Sequence, residues 1–312
     1  MKNKNTDVKC PVCASLDHAF FAEGWDSEYL SSRKRFPYHH CHSCDCVFIL
    51  EPPLGELGVI YPKNYYSFSD SGKKSILQTI KNTLDNVRIK KILAQTQSQS
   101  IRVLDVGGGD GWLLSVIKER NPAVTDTHEV DLDALALEQA RKKGHTAHHC
   151  RIEDFRSDLK FDFIVLLNII EHVADPVAVL RQCHSLLSPH GRILIKTPNH
   201  KTLSRWLFKN HNWGGFHCPR HWVLFTMAGL ENAAARVGLK VEEGEHTQGG
   251  PQWATSILGW LADKGVIKSI TSERPMYKHP LHNPLLALFA AFDMVIAKFS
   301  PTAQFFLVLR KQ

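Results

Sequence analysis

No stretch of this 312-residue chain is both long and apolar enough to span a bilayer. The longest apolar run, 285–299, is interrupted by Asp293 and Lys298. The opening residues, MKNKNTDVKC, lack the apolar centre of a secretory signal, so cytoplasmic residence is the expectation. A dense cationic face is missing as well. The net charge is +7, and near the N-terminus only Lys9 and the run Arg33, Lys34, Arg35 stand out. That balance permits an anionic partner such as RNA, a nucleotide-linked sugar or a lipid surface, but requires none. With 43% hydrophobic and 22% charged residues, the composition suits a globular protein with room for one large domain and a small module.

The glycine loop Val103-Leu-Asp-Val-Gly-Gly-Gly-Asp-Gly111 is also defined by something it lacks. It follows a predicted buried strand, Ile101–Val106, and precedes a predicted helix, Trp112–Arg120. A dinucleotide-binding turn needs a small residue three positions after its second glycine, and Trp112 stands there. Asp105 inside the strand end would repel a pyrophosphate, whereas it suits the ammonium of an amino-acid ligand. The pattern therefore favours S-adenosylmethionine (SAM) over NAD. A second predicted strand, 127–131, ends in Asp131, placed to meet a ribose diol. Further strands at 161–167 and 192–196 alternate with helical segments, which describes a doubly wound parallel sheet.

Four of the eight cysteines form two Cys-x-x-Cys turns, Cys10/Cys13 and Cys41/Cys44. Two such turns can close a tetrahedral zinc site with no open position, so the metal is expected to be structural. The intervening segment is expected to form a hairpin. Cys46, His39, His40 and His42 are alternative ligands, while the histidine groups 39/40/42 and 145/148/149 otherwise read as solvated surface.

Taken in order, VLDVGGGDG, EVDLDALALEQAR, NIIEHVADP and LLSPHGRILIKTPN resemble the successive motifs of class I SAM-dependent methyltransferases, over roughly residues 100–245. Pro219-Arg-His-x-x-x-Phe-Thr226 resembles a motif of bacterial members of this broad group, including those with zinc ribbons. The resemblance implies an α/β fold: a Rossmann-like, doubly wound, seven-stranded sheet with an antiparallel last strand. It implies three regions. A zinc-ribbon-like module occupies residues 1–50, a linker with a lid segment and a helix 51–99, and a SAM-dependent methyltransferase domain 100–312.

It also implies cofactor contacts at Asp105, Gly107, Gly109, Gly111, Asp131, Leu132, Ile152, Glu153 and Asn168. Tyr65 and Tyr66 are candidate lid residues. Some relatives carry Glu-x-x-Glu-His where this chain has Asn168, Glu171 and His172, and bind a divalent ion there. With a charged ligand lost at Asn168, Glu171 and His172 read instead as orienting the loop beneath SAM.

The segment 213–226 is dense in aromatic and basic residues. His221 is the expected general base and His217 the second candidate, with Arg220 binding an anionic part of the substrate. The expected activity is methyl transfer from SAM to a small molecule or a sugar or glycan precursor. The alternatives are an RNA methyltransferase and a non-catalytic SAM-binding or zinc scaffold. In the region 250–300, Leu285, Leu288, Phe292, Val295 or Ile296, and Phe299 form one helical stripe, expected to pack on the sheet or on a second subunit of a homodimer. Contact with a membrane surface or a lipid substrate is the alternative.

Overall fold

Eleven strands and nine α-helices make up the described part of the computed structural model, which covers residues 7–62, 76–96, 99–209, 211, 213–268, 270–271 and 274–312. For residues 76–84 only the backbone is described. Tyr65 and Tyr66 lie outside the described residues.

The chain opens with β1 (His18–Gly24), β2 (Phe36–Cys41) and β3 (Val47–Ile49), the hairpin expected between the cysteine turns plus one further strand. Two helices follow, the single turn α1 (Leu57–Ile60) and the long α2 (Ile76–Ala94). Strands and helices then alternate: β4 (Ile101–Val106), α3 (Trp112–Arg120), β5 (Val124–Asp131), α4 (Ala134–Lys142), β6 (Thr146–His149), β7 (Phe161–Leu167), α5 (Pro176–Leu186) and β8 (Leu187–Pro198). The remaining elements are α6 (Leu203–Phe208), β9 (Val223–Leu224), α7 (Met227–Ala235), β10 (Leu239–Thr247), α8 (Gly250–Asp263), α9 (His282–Ile296) and β11 (Gln304–Lys311).

Local chemistry sets the helix starts. Asp133 caps α4 by accepting from the Leu135 and Ala136 N–H groups, and Thr226 caps α7 through the Gly229 N–H. Asp175 caps α5 ahead of Pro176, whose missing N–H costs nothing in the first turn. The apolar run of β7 is buried on both faces, as a central parallel strand requires.

The large sheet has the order β10-β11-β8-β7-β4-β5-β6. Strand β11 runs antiparallel to both neighbours, so the seven-stranded sheet with its antiparallel last strand is as the resemblance implies. Helix α2 is pinned to it by a buried ion pair, Lys196 Nζ lying 3.1 Å from both Asp85 oxygens. Among the described residues no helix is long and apolar enough to cross a membrane.

The cysteine-bearing segment does not stand apart. A second sheet has the order β1-β2-β3-β9, and its last strand comes from residues 223–224. Phe36, Tyr38 and Ile49 share one apolar cluster with Trp213, Phe216 and Trp222. A Cβ on Gly229 in α7 would lie 2.4 Å from Cys46 Sγ, so helix and cysteine turn meet in close contact.

In the region 250–300, one of the expected placements, packing of the stripe on the sheet, is not seen. Helix α9 packs on α8 through Phe289, which stacks on Trp253 with centroids 4.6 Å apart. Asp293 accepts from the Gly249 N–H and the Trp253 indole. Leu288, Val295 and Phe299 of the stripe therefore face outward, not onto the sheet, while Phe292 sits at the border with its ring edge-on to Trp253, centroids 5.9 Å apart. The reason lies on α8: Gly250 admits the backbone of Leu286 and the Ala290 methyl at distances that only a glycine tolerates.

Candidate active site

After β4 the chain turns through Gly107, Gly109 and Gly111, with φ of 72°, 66° and 70°, conformations strained for any other residue. Gly108 is fixed by space instead: a Cβ would lie 2.2 Å from Asp105 Oδ2 and 2.5 Å from Glu129 Oε2. Its N–H donates to Glu129 Oε1 at 2.7 Å, and the Gly109 N–H donates to Asp131 Oδ2 at 3.0 Å. Amides that could cradle a phosphate are thus turned on the protein's own carboxylates, which repel one.

Asp105 Oδ2 and Glu129 Oε2 are buried and have no hydrogen-bond partner among the described residues. Burial, followed by the Asp131 charge, pushes Asp105 up to about 7. Burial and the Asp105 charge raise Glu129 well above the usual range. Orphaned acceptors and crowded negative charge call for a cationic hydrogen-bond donor, and the ammonium of SAM fits that requirement. Glu129 and Gly108 escaped the sequence reading. A lone acid inside the buried run of β5, paired in register with Asp105, is the signal that could have found Glu129.

The other expected cofactor residues lie around this loop with mixed accessibility. Leu132 is exposed beside Asp131, and Ile152 is buried in the main core. Glu153 is half-buried on the same turn as Ile152. Asn168, with φ of 57°, accepts from Gln304 Nε2 at 3.1 Å, so its side-chain oxygen is already engaged.

At the end of β7, Ile170–His172 form a single 3-10 turn, and the segment 213–222 folds over it. Glu171 is fully buried, its Oε2 accepting from Thr197 Oγ1 at 2.9 Å. Oε1 has no hydrogen-bond partner among the described residues, and burial pushes the carboxyl up to about 8. His172 Nε2 lies 3.9 Å and His221 Nε2 4.0 Å from that oxygen.

The other nitrogens of both rings face backbone carbonyls, His172 Nδ1 to Arg220 at 3.0 Å and His221 Nδ1 to Gly215 at 2.9 Å. Carbonyls only accept, so each ring carries its hydrogen on Nδ1 and turns a lone pair from Nε2 toward Glu171. Burial, with the charge of His217 beside it, lowers His172 to about 3. Burial, with His172 second, drives His221 well down. A carboxylate and two imidazoles so arranged, each imidazole held by a second partner, make a divalent-cation donor set. The sequence reading paired Glu171 with His172 and gave His221 a separate role. The forty-eight residues between His172 and His221 hide that the three converge.

Two further expectations need correction. His221 is buried and its Nε2 faces Glu171, which places it poorly for accepting a substrate proton. Arg220 is fully buried, with Nη2 2.9 Å from Asp26 Oδ2 and its guanidinium over the Tyr29 ring. Its charge is met by the β1–β2 loop, not by a substrate anion. His217, with φ of 36°, holds Nδ1 2.9 Å from Glu28 Oε1 of that same loop. Tyr61 Oη lies 3.1 Å from His172 Nδ1. His145 is also not surface, since Thr127 and Ser115 hydroxyls each lie 2.8 Å from its two ring nitrogens.

The sulfurs of Cys10, Cys13, Cys41 and Cys44 lie within 4.8 Å of one another. Cys10 and Cys44 are 3.6 Å apart, and Cys13 and Cys41 3.4 Å. A tetrahedral zinc with bonds of about 2.3 Å spaces its sulfurs at roughly 3.8 Å, so this quartet fits the ion. Cys46 turns away toward Gly229, and His39 and His40 are engaged by His18 and Asp45.

An acid-lined glycine turn at the carboxyl edge of a seven-stranded sheet defines the class I SAM-dependent methyltransferases. A family model described as a methyltransferase domain matches residues 82–243, more than half of the chain, and the chain belongs to that family. Among curated proteins it is 34% identical over 104 residues to a ubiquinone biosynthesis O-methyltransferase of Pseudomonas aeruginosa, covering 31% of this chain and 44% of that one. It is 31% identical over 126 residues to the enzyme of the same name from Xanthomonas axonopodis pv. citri, covering 38% and 52%. The chain thus spans about half the length of the curated relatives it matches. Among solved structures, the [4+2]-cyclase SpnF superposes with a TM-score of 0.50 at 16% identity, covering 78% of this chain and 84% of that one. This last likeness concerns the fold alone, which can host different reactions.

Proposed function

We propose that this chain transfers the methyl group of SAM to a hydroxyl of a small-molecule acceptor, a class that includes sugar and glycan precursors. The observation that carries the reading is the pair of orphaned, buried carboxylate oxygens of Asp105 and Glu129 at the glycine turn. They would hold the ammonium, with Asp131 taking the ribose hydroxyls. The hydroxyl acceptor rests on the O-methyltransferase names of the partial relatives and on the donor set Glu171, His172 and His221.

These three residues would hold a divalent cation, which when bound makes a coordinated hydroxyl more acidic. Both imidazoles are kept neutral by burial and by their carbonyl partners, so they are ready to ligate at neutral pH. His217, oriented through Nδ1 by Glu28 Oε1 at 2.9 Å, is the candidate to take the acceptor's proton. The zinc quartet lacks an open position and has a structural role: it builds the sheet against which segment 213–222 is folded.

The test uses the full chain with methyl-labelled SAM and fractions of cell extract separated into nucleotide sugars, other small molecules, lipids and nucleic acid. Label should enter a small-molecule fraction, fall on chelation and return with Mg²⁺ or Mn²⁺. Label confined to nucleic acid would replace the acceptor class. Absence of any calorimetric response to S-adenosylhomocysteine would overturn the reading altogether.

A further inference from the structure

The sheet and the catalytic segment leave one large apolar feature unaccounted for. On α9, Leu288, Phe292 and Val295 recur at helical spacing with exposures of 62%, 37% and 67%, and Phe299 just beyond the helix is 86% exposed. Leu281, one heptad before Leu288, is also exposed. The opposite face carries Phe289, Ala290 and Asp293 and is fully engaged by α8. Phe292 borders the row and packs edge-on against Trp253, but Leu288, Val295 and Phe299 project outward, and three large apolar side chains so placed are costly in water, at roughly 25 cal/mol per Å². Singly exposed residues need no explanation, but a row at this period does.

Charge points to what covers it. Among the described residues of 250–300, Lys264, Lys268, Arg274, Lys278 and Lys298 are exposed, against Asp263 as the only exposed acid. The single carboxylate of α9, Asp293, is turned inward and hydrogen-bonded. On the same helical cap, α6 packs on α8 and presents Trp206 and Leu207 at 64% and 49% exposure. The described part of the segment that carries the apolar row thus presents five exposed cations against one exposed acid, which matches the chemistry of an anionic bilayer surface.

A second copy of the chain suits the face less well. A helix of 15 residues is about 22 Å long, and its outer strip about 10 Å wide covers only some 200–300 Å². A stable protein interface needs about 800 Å² from each partner.

We propose that the outer face of α9 is a membrane-docking surface that lays Leu288, Val295 and Phe299 into the headgroup region of an anionic phospholipid bilayer. The apolar row supplies burial, and the exposed basic residues of segment 250–300 supply attraction to the lipid charge. Each alone gives weak, reversible attachment.

The experiment is co-sedimentation of the full chain with vesicles of phosphatidylglycerol and phosphatidylcholine in equal parts, beside vesicles of phosphatidylcholine alone. The wild type should sediment with the anionic vesicles, less so at high salt, and only weakly with the neutral ones. The variant Leu288→Glu/Val295→Glu should lose about tenfold or more in vesicle affinity. Lys264→Glu/Lys298→Glu should lose binding to the anionic vesicles selectively. Both variants lie far from the glycine turn and should keep wild-type affinity for S-adenosylhomocysteine, which shows that they fold. The proposal is overturned if the wild type stays in the supernatant with both vesicle types, or if Leu288→Glu/Val295→Glu binds as well as wild type. A wild-type dimer in sedimentation velocity that this variant dissolves, without vesicle binding, would assign the face to self-association instead.

Discussion

Replacing Asp26 by asparagine removes the charge opposite Arg220 while keeping the side chain's shape. Asp26 is 1% exposed and Arg220 0%, so solvent screens neither partner. Burial by itself raises the Asp26 carboxyl, yet the Arg220 guanidinium, with hydrogen bonds from Ser31 and the Tyr29 N–H, outweighs it and holds the group below its usual value. Breaking a pair this deep leaves an uncompensated guanidinium, at a cost of about 3–5 kcal/mol. That is about a fifth or more of the total stability of an ordinary domain, about 5–15 kcal/mol.

The assay is urea unfolding of the full chain, read by far-ultraviolet circular dichroism, with S-adenosylhomocysteine calorimetry as a second measurement. Unfolding should move to lower urea, while the glycine turn, built from other elements, keeps its affinity for the product at concentrations where the variant is folded. Replacing both partners by apolar residues, Asp26→Leu with Arg220→Met, should recover most of the loss. A change below about 1 kcal/mol in Asp26→Asn would refute the reasoning. It would mean that Arg220 is satisfied without Asp26, and a substrate-facing role for its guanidinium would return.

Asp105→Asn should weaken S-adenosylhomocysteine binding by about 10–100-fold, the worth of a charge-assisted hydrogen bond, and raise the melting temperature of the ligand-free chain by relieving carboxylate repulsion. Because Asp105 titrates near 7 without ligand, product affinity should fall about tenfold between pH 8 and pH 6, with proton release on binding detectable in buffers of different ionisation enthalpy. The sign for stability is the reverse: a carboxyl raised on folding stabilises the ligand-free chain below its ordinary value near 4, and this contribution is lost as pH rises through about 7. Elemental analysis should find zinc bound by the cysteine quartet; Cys41→Ser should lose it and unfold at much lower temperature, and zinc-free wild type of unchanged stability would contradict the assignment. Glu171→Gln should abolish Mn²⁺ binding beneath segment 213–222, seen as loss of paramagnetic broadening of the His172 and His221 ring resonances, while product affinity stays the same.

What could be read from the sequence, and what could not, follows from how far apart the interacting residues lie. The alternation of buried strands and capped helices from Ile101 onward is local, as are the glycine turn and the two Cys-x-x-Cys knuckles. Each carries its own spacing rule, and the sheet follows from their succession. The contacts of Arg220 with Asp26 and of His217 with Glu28 join positions 194 and 189 residues apart, and no periodicity relates them. His145 misled for a different reason: its polarity suggests solvent, and only the folded chain supplies the Ser115 and Thr127 hydroxyls that satisfy it. For α9, the period revealed which side chains share a face. Which face turns inward was decided elsewhere, by Gly250 and Trp253 on α8.

Tyr38, in the second strand to be made, hydrogen-bonds the carbonyl of His221, 183 positions later. During synthesis at about 5–20 residues per second, the cysteine turns leave the ribosome roughly ten to forty seconds before the strand that completes their sheet. In that interval the nascent hairpin has an open edge at β3 and an apolar surface awaiting Trp213 and Trp222. A zinc ion held by the cysteine quartet would join the two knuckles in that interval, before the residues that cover them arrive.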